Sequence, residues 1–520
     1  MGKLQAKGQG LMIPNSKLIL GPPGCGKTYR LIQEIKGALE AGTHPSRIGV
    51  ISFTRKAIEE MVTRSCAEFS LAPVDFPYMR TSHSFGFNGL GLQSQDVMQI
   101  ADYEVIGAIV GLNFEGEDRT SVDDGITLPS IGGSGAQYLQ MITRARYRMI
   151  TLEQEFNEAS DRTLFYPKLE QVGAQIEEYK QQNSKYDFVD MIEKYIEIGE
   201  PPHLDYLFID EAQDFTPLQW DMAHKLSEFS QQTIIAGDDD QAVHRWTGVD
   251  VRMFVNSSEN VEILKQSYRI PKSIHRLSQT IVNRIGTRVE KEFLAREELG
   301  EVEFVNHMED IPFTEGSWTV MARTNTYVRE MAKWFSNTGF KYSVKGRPSI
   351  SLKLIGNIMA WDELCQGKKL GLERVKTLYS GLPKQGTDAV VKRGSAKLLE
   401  ALEIDAEIDM DTLRSEYGLL CGPEFAAYKV LKVSGSMQTY IEAIQRRGED
   451  LLSPPRIKIS TFHAMKGGED DNCVVYTAST KACVQSKYPD DEHRAFYVGV
   501  TRARESLYIL QSNNNYRYTI

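Results

Sequence analysis

Paired cysteines are missing from the sequence. Its six cysteines are scattered, and no two of them form a CxxC motif. Structural zinc sites and the disulfide frameworks of small secreted domains both need cysteines at short, regular spacings. The sequence therefore predicts reduced thiols, with neither a zinc site nor a disulfide scaffold.

Long hydrophobic runs are missing as well. No apolar stretch approaches the roughly 18 residues that a membrane span requires. The opening residues, Met1 to Ala6, contain no apolar segment of the kind found in a signal peptide. We therefore expect no membrane contact and an intracellular, cytoplasmic location.

The chain also has no excess of positive charge. Its 60 Lys and Arg residues stand against 70 Asp and Glu, which gives a net charge of -10. Proteins that hold nucleic acid by charge alone need a strongly basic surface. Any contact with nucleic acid must therefore depend on local patches or on stacking.

What the sequence does have is the composition of a globular protein, with 41% hydrophobic and 25% charged residues. Its 520 residues allow about three to five domains at roughly 100 to 200 residues per domain. Short β-branched strands, each followed by a helical pattern, occur near both ends of the chain. The predicted strands are 17–20, 48–53, 206–209, 233–236, 318–322, 474–476 and 507–510.

Apolar strands that alternate with helices are typical of parallel sheets covered on both faces. We therefore predict an α/β protein with two cores. Helical periodicity replaces the strand pattern in 93–185 and in about 346–455, which predicts one helical insertion per core. The polar residues 511–518 predict a loose tail.

The strongest local motif fits the pattern G-x-x-x-x-G-K-[ST], between a predicted strand and a predicted helix. In such a loop, glycines allow backbone N–H groups to surround phosphates, and the helix N-terminus adds its dipole. Lys27 would neutralise the β- and γ-phosphate oxygens of ATP, and Thr28 would hold Mg²⁺. The predicted nucleotide-binding residues are Gly21, Pro22, Pro23, Gly24, Cys25, Gly26, Lys27 and Thr28.

Two carboxylates follow the predicted strand 206–209. Asp210 would hold the magnesium ion, and Glu211 would act as general base on the attacking water. Such a pair is common by chance, and the upstream phosphate loop is what makes it informative. The motif also places Cys25 near a helix N-terminus, a position that lowers a thiol pKa and favours chemical reactivity. For catalysis, the favoured interpretation of Cys25 is a small residue tolerated at a variable position of the loop.

These blocks and others downstream resemble the motifs of superfamily 1A helicases, the UvrD/Rep/PcrA group. Seven blocks follow one another in the order of that family and span nearly the whole chain. After the phosphate loop they are ISFTRKA (51–57), TSHSF (81–85), DEAQD (210–214), GDDDQ with Arg245 and Trp246 (237–246), QSYR (266–269), STFHAMKG (460–467) and YVGVTRAR (497–504).

The resemblance implies two RecA-like cores with ATP between them. The first core would comprise 1–92 and 186–265, with insertion 1B at 93–185. The second would comprise 266–345 and 456–520, with insertion 2B at 346–455.

The resemblance also implies roles for individual residues near ATP. Gln241 would sense the γ-phosphate, and Tyr268 would stack on adenine. Arg269 and Arg502 would act as arginine fingers, and Glu469 would take part in nucleotide binding. The adenine-reading glutamine would be either Gln5 or Gln9.

For DNA, the resemblance implies that Phe53 and Trp246 stack on single-stranded bases. Stacking needs no net positive charge, so it agrees with the acidic composition. The other implied DNA-binding residues are Thr81, His83, His244 and His463.

The sequence departs from the family pattern in three places. His244 stands where a tyrosine is usual, and Thr247 stands where an arginine is usual. After the Lys-Gly pair, the usual Leu-Glu-Phe is replaced by 468–470, Gly-Glu-Asp. A basic stretch from Lys368 to Lys397 is either a solvated helical face or a contact with the DNA backbone.

These features predict an ATP-dependent DNA helicase that translocates 3′→5′ on single strands and acts at junctions with duplex. A recruiting protein partner is possible but no feature identifies it. The alternative is a phosphate-loop ATPase that acts as a switch or phosphorylates a small substrate, without nucleic acid. A third reading, a DNA-binding scaffold with an inactive ATPase site, is disfavoured because Lys27, Glu211 and Arg502 are all present.

Overall fold

Two parallel sheets organise the part of the chain that the computed structural model describes, which is residues 12–116, 131–159, 163–386 and 389–520. This arrangement confirms the predicted α/β class with two RecA-like cores. All seven predicted strands are present, with ends shifted by up to four residues. Within the described residues, no helix combines the length and apolar character needed to cross a lipid bilayer.

The first core begins with three strand–helix units. Thr54 and Thr81 cap the second and third helices through side-chain oxygens that accept backbone N–H groups, at 3.1 and 3.2 Å. The elements are β1 (Ser16–Leu20), α1 (Lys27–Glu40), β2 (Ile48–Ser52), α2 (Arg55–Phe69), β3 (Tyr78–Thr81) and α3 (Ser82–Gly89).

A helical insertion follows, with its own apolar core around residues such as Ile106 and Val172. Its elements are α4 (Ile100–Val110), β4 (Glu115–Gly116), β5 (Ile131–Gly132), α5 (Ala136–Tyr147), α6 (Leu152–Glu158) and α7 (Tyr166–Asn183).

The chain then returns to the first core. The elements are α8 (Phe188–Ile198), β6 (Leu204–Asp210), α9 (Pro217–Ser227), β7 (Ser230–Gly237), α10 (Val251–Val255) and β8 (Val261–Ile263). The completed first sheet has the order β3-β2-β6-β7-β1-β8, and all its pairs are parallel. The carboxyl ends of β1 and β6 therefore lie on the same edge, which brings the phosphate loop and Asp210 together.

The second core repeats this plan. It starts with α11 (Lys272–Val282), β9 (Glu301–Val305), β10 (Trp318–Ala322), α12 (Asn325–Thr338), β11 (Tyr342–Val344) and β12 (Arg347–Pro348). The second insertion follows with α13 (Leu352–Cys365), β13 (Leu370–Gly371), α14 (Leu372–Ser380), α15 (Ser395–Leu398), β14 (Glu407–Ile408), α16 (Met410–Ser415), α17 (Ala427–Val430) and α18 (Gly435–Arg447). This insertion also has a separate apolar core, centred on Trp361.

The second sheet closes with β15 (Ile457–Thr461), β16 (Asp470–Tyr476), α19 (Lys481–Val484), α20 (Pro489–Val500) and β17 (Ala503–Leu510). Its order is β12-β11-β15-β10-β16-β17-β9, and only the β11/β12 pair is antiparallel. The motif at 460–467 covers the end of β15 and the loop that follows it, and the motif at 497–504 covers the end of α20 and the start of β17.

The prediction of a loose tail after Leu510 is wrong. The ring of Tyr518 stacks on Phe496 with centroids 4.0 Å apart and planes inclined by 8°. The Tyr518 hydroxyl also forms a 2.8 Å hydrogen bond with His493 Nδ1. Polar composition suggested a tail, but one buried aromatic ring is enough to attach the segment to α20.

Candidate nucleotide-binding cleft

The phosphate loop connects β1 to α1 and has the backbone that its glycines allow. Gly24 and Gly26 have φ angles of 72° and 77°, which L-residues with a side chain rarely adopt. Gly26 caps α1 without a side-chain hydrogen bond, so the first helical N–H groups are available for phosphate oxygens. Lys27 Nζ donates to the Gly21 carbonyl at 2.9 Å.

The carboxylates at the end of β6 share the cleft with Lys27. Burial, and then the neighbouring charge of Glu211, raises the pKa of Asp210 to about 7. Burial opposes ionisation of Glu211 too, but Lys27 and Lys466 hold its pKa below the usual value. The Asp210 carboxylate and the Thr28 hydroxyl are hard oxygen donors, so they fit Mg²⁺. A cation there would return Asp210 to its ionised form.

The second core touches the phosphate loop directly. Ser267 Oγ donates to the Pro23 carbonyl at 2.7 Å, and the Tyr268 backbone N–H donates to the Gly24 carbonyl at 2.8 Å. A Cβ on Gly24 would lie 2.3 Å from the Arg269 Cβ. Glycine is therefore required there both by its φ angle and by this close approach. The Tyr268 ring itself is 73% exposed beside the loop, as an adenine-stacking residue would be.

Two arginines of the second core reach into the same cleft. Arg269 Nε donates to Glu469 Oε2 at 2.5 Å. Arg502 is buried, and its Nη2 donates to Gln241 Oε1 across the cleft at 2.8 Å. Burial, followed by repulsion from Arg269, lowers the pKa of Arg502. An anion between the two guanidinium groups would relieve that repulsion, which is what a polyphosphate provides.

Sequence reasoning missed the cross-cleft contacts of Lys466. Lys466 Nζ forms an ion pair with Asp214, donates to the Gln241 carbonyl at 2.9 Å and lies 4.0 Å from Glu211 Oε2. Burial and Glu211 raise the pKa of Asp214 to about 6, although Lys466 opposes the shift. Both Asp214 and Lys466 lie within recognised motifs, but neither charge had an assigned role there. A charged residue without a role inside a motif is the signal that could have identified these contacts.

The expected lowering of the Cys25 thiol pKa is wrong. Its side chain is buried, and that burial raises the thiol pKa, although Lys27 acts in the opposite direction. A raised pKa leaves less thiolate at neutral pH. The position at a helix N-terminus is therefore outweighed by loss of solvent, and Cys25 is a small packed residue of the loop.

Four of the six predicted DNA-binding residues form one row of rings, and the other two lie elsewhere. The ring of His244 lies 5.6 Å from Phe53, 6.3 Å from Trp246 and 6.3 Å from His463 of the second core. Phe53 is 1% exposed, whereas Trp246 is 40% exposed. Burial lowers the pKa of His463 to about 3, so this row is uncharged at neutral pH.

Thr81 and His83 stand apart from that row. Thr81 caps α3, and His83 is buried, with Nε2 2.8 Å from the Tyr147 hydroxyl. Burial lowers the pKa of His83 to about 4. Both side chains therefore have structural partners in this conformation, and their DNA contacts stay predictions. The candidate adenine-reading residues, Gln5 and Gln9, lie outside the described residues.

A chamber of about 700 Å³ opens beside Trp246, where both cores and the first insertion meet. Arg245 stacks over the Tyr488 ring at 3.8 Å on its wall. The lining also includes Arg144, Arg148 and Lys487, together with carboxylates such as Glu155 and Glu158. Arg144 and Arg148 both form ion pairs with Glu155. The aromatic faces, and not an excess of cations, are therefore the feature that is typical of a single-stranded nucleic-acid site.

Comparison with known proteins agrees with this geometry. Residues 5–262 match the UvrD/REP helicase N-terminal domain, and residues 434–514 match the UvrD-like helicase C-terminal domain. Together these two matches account for well over half of the chain. The chain belongs to the UvrD/Rep helicase family. The recognition made from the motifs is thereby confirmed.

Individual relatives are distant. The ATP-dependent DNA helicase PcrA of Leuconostoc citreum is 24% identical over 381 residues, which cover 67% of this chain and 50% of that protein. The protein of the same name from Bacillus subtilis (strain 168) is 24% identical over 416 residues, covering 72% and 54% respectively. The ATP-dependent DNA helicase Rep of Buchnera aphidicola is 22% identical over 283 residues, covering 51% and 40%. The chain spans about half the length of the curated relatives it matches.

At two of the positions that depart from the UvrD/Rep pattern, the residue present forms hydrogen bonds within its own core. Asp470 is buried at the start of β16, where it accepts hydrogen bonds from Thr319 Oγ1 at 2.9 Å and Lys458 Nζ at 3.0 Å. Thr247 is buried and its hydroxyl donates to the His244 carbonyl at 2.7 Å. Both polar side chains are therefore satisfied by contacts within their own core.

The basic stretch lies in the second insertion. Two of its cations are in ion pairs, Arg374 with Glu363 at 2.8 Å and Lys376 with Glu373 at 3.1 Å. Asp388, an acidic residue within this stretch, lies outside the described residues. The contact with a DNA backbone stays a prediction.

Proposed function

We propose that this protein is an ATP-dependent, DNA-stimulated helicase that moves 3′→5′ along single-stranded DNA and separates strands at junctions. The observation that carries the proposal is the convergence of both cores on one phosphate loop. Tyr268 contacts Gly24 through its backbone, and Arg502 contacts Gln241. A cleft that closes around ATP in this way converts the state of the nucleotide into relative movement of the two cores.

Residues of both cores take part in ATP hydrolysis. Lys27 neutralises the β- and γ-phosphate oxygens, and Glu211, with its lowered pKa, accepts hydrogen bonds from the attacking water. Thr28 and Asp210 are the residues that would hold Mg²⁺, which when bound neutralises phosphate charge. Arg269 leaves Glu469 as the cleft closes, and it then stabilises the charge that develops on the transferred group.

The nucleic-acid side of the proposal uses the chamber beside Trp246. Stacking on this exposed indole is worth about 1 to 3 kcal/mol per base and needs no net charge. The domain division proposed from the sequence, with insertions at 93–185 and 346–455, is supported by the separate apolar core of each insertion. A switch protein or small-substrate kinase requires neither a second core nor a chamber of this kind. The presence of both therefore disfavours that alternative.

Duplexes with one single-stranded tail test the proposal. ATP hydrolysis is expected to rise on addition of single-stranded DNA, and unwinding is expected only with the duplex that has a 3′ tail. Unwinding confined to the 5′-tailed duplex would overturn the polarity. An equal rate of ATP hydrolysis with and without single-stranded DNA would favour the switch or kinase alternative.

Trp246→Ala is expected to leave basal ATP hydrolysis unchanged but to weaken single-stranded DNA binding about 5- to 150-fold, because one stack of 1 to 3 kcal/mol is lost. Fluorescence anisotropy with a labelled oligonucleotide measures the affinity. Phe229→Ala is a matched control, since Phe229 is 38% exposed on the same core but does not line the chamber. Equal affinities of wild type and Trp246→Ala would show that the indole is not a DNA contact.

A further inference from the structure

Three consecutive carboxylates are buried at the end of β7. Asp238, Asp239 and Asp240 are each at most 1% exposed. Buried carboxylates at this spacing repel one another and remain ionised only with cations beside them. Their side-chain oxygens lie within 4.8 Å of one another, a spacing that a metal ion could also use.

A lysine from the second core occupies that position. Lys291 Nζ lies 2.5 Å from Asp239 Oδ1, 2.7 Å from Asp240 Oδ2 and 3.4 Å from Asp238 Oδ1. The Lys291 side chain is 1% exposed. Arg288, from the same loop, binds both oxygens of Asp240, at 2.8 and 2.9 Å. The acidic cluster of the first core is thus neutralised by the second core.

The acidic cluster is joined to Gln241 by a hydrogen bond. Asp238 Oδ2 accepts a 2.5 Å hydrogen bond from Gln241 Nε2, while Gln241 Oε1 accepts from Arg502. An ionised carboxylate only accepts hydrogen bonds, and a guanidinium only donates them. The two ends of the Gln241 amide are therefore oriented by partners of opposite character, and a rotation of 180° would break both contacts.

We infer that Lys291 is a positioning residue that sets the orientation of the Gln241 amide through Asp238. Its ammonium lies 3.4 Å from Asp238 Oδ1, so Asp238 is held where its Oδ2 accepts from Gln241 Nε2 and Gln241 Oε1 is left facing Arg502. The contact links the loop that follows α11 to the γ-phosphate sensor. This inference rests on the proposed function, with Gln241 and Arg502 in the roles near the γ-phosphate of ATP that the resemblance to the helicase family implies.

Loss of Lys291 affects turnover more than nucleotide binding. The phosphate loop does not contact Lys291, so the KM for ATP is expected to stay within about twofold. The outer-shell partners of metal ligands also act through one intermediary, and their loss typically costs about 10- to 100-fold in affinity or activity. Lys291→Gln is therefore expected to reduce DNA-stimulated kcat about 10- to 100-fold.

A double-mutant cycle tests the inference. DNA-stimulated kcat and KM for ATP are measured for wild type, Lys291→Gln, Gln241→Ala and the double variant. If Lys291 acts through Gln241, the double variant is no slower than Gln241→Ala alone. Losses that multiply would overturn the inference. A wild type without DNA-stimulated ATP hydrolysis would instead refute the proposed function.

Matched variants separate positioning from folding. Arg288→Gln removes a cation that contacts Asp240 but not Asp238, so its loss of kcat is expected to be several-fold smaller. Equal losses for Arg288→Gln and Lys291→Gln would overturn the inference. If thermal unfolding shows that Lys291→Gln does not fold, Asp238→Asn takes its place in the cycle with the same expected non-additivity, and multiplying losses would again overturn the inference.

Discussion

Lys27→Ala is expected to reduce ATP turnover by at least about 10³-fold, the upper range for removing one preorganised group that stabilises charge. Within the described residues, Lys27 is the loop's cation, and Glu211 and Asp238 raise the pKa of its ammonium against the effect of burial. Its loss also leaves the phosphates of bound ATP without their counter-charge, so nucleotide affinity falls. Phosphate release and a fluorescent ATP analogue measure the two effects.

The matched control is Lys36→Ala on the same helix. Lys36 is half exposed, and its Nζ lies 3.6 Å from Glu68 Oε1, away from the cleft. The Lys36→Ala variant is expected to hydrolyse ATP at the wild-type rate. Turnover in Lys27→Ala close to that of the control would refute the ATPase assignment.

Arg502→Ala is expected to separate nucleotide binding from turnover. ATP still binds, because the phosphate loop and Tyr268 are intact, but turnover falls by roughly 10³-fold or more, as for other arginine fingers. Arg502 contributes charge that matters most when negative charge develops on the γ-phosphate. Measuring kcat and nucleotide affinity in parallel tests this separation.

Arg502 also has structural contacts, because it donates to the Val498 carbonyl at 2.8 Å and to the Gly468 carbonyl at 3.1 Å. Arg502→Lys, which keeps the charge but not the planar fork, therefore accompanies the alanine variant, and thermal unfolding checks the fold of both. Arg276→Ala, an exposed position on α11, is the control. Equal losses of binding and turnover in folded Arg502→Ala would contradict the finger role.

The sequence was sufficient for the architecture because strand periodicity and motif order are local signals. The phosphate loop had to follow β1, and Asp210 had to end a neighbouring strand, so both could be placed on one sheet edge. The Arg502–Gln241 contact was foreseeable in outline for the same reason. Each of its residues belongs to a motif with an expected role at the γ-phosphate.

Burial was the part that the sequence did not reveal. A thiol near a helix N-terminus suggested a reactive Cys25, yet packing raised its pKa. Phe53 was expected as a stacking platform, yet its ring is enclosed beside His244 in this conformation. Lys291 carried no motif at all, because its importance comes from a fold that places it among carboxylates about 50 residues away in the chain.

The strand order of the first sheet has a consequence for how this protein is made. Ser16 on β1 pairs with Thr233 on β7, and Leu18 pairs with Val261 on β8. At about 5 to 20 residues per second of synthesis, β1 waits roughly 10 to 40 s for its first neighbour. Such long-range pairing is slow to form and leaves strand edges exposed to aggregation in the meantime. The phosphate loop, which depends on β1, is therefore among the last features of the first core to become able to bind nucleotide, after the first insertion has already emerged.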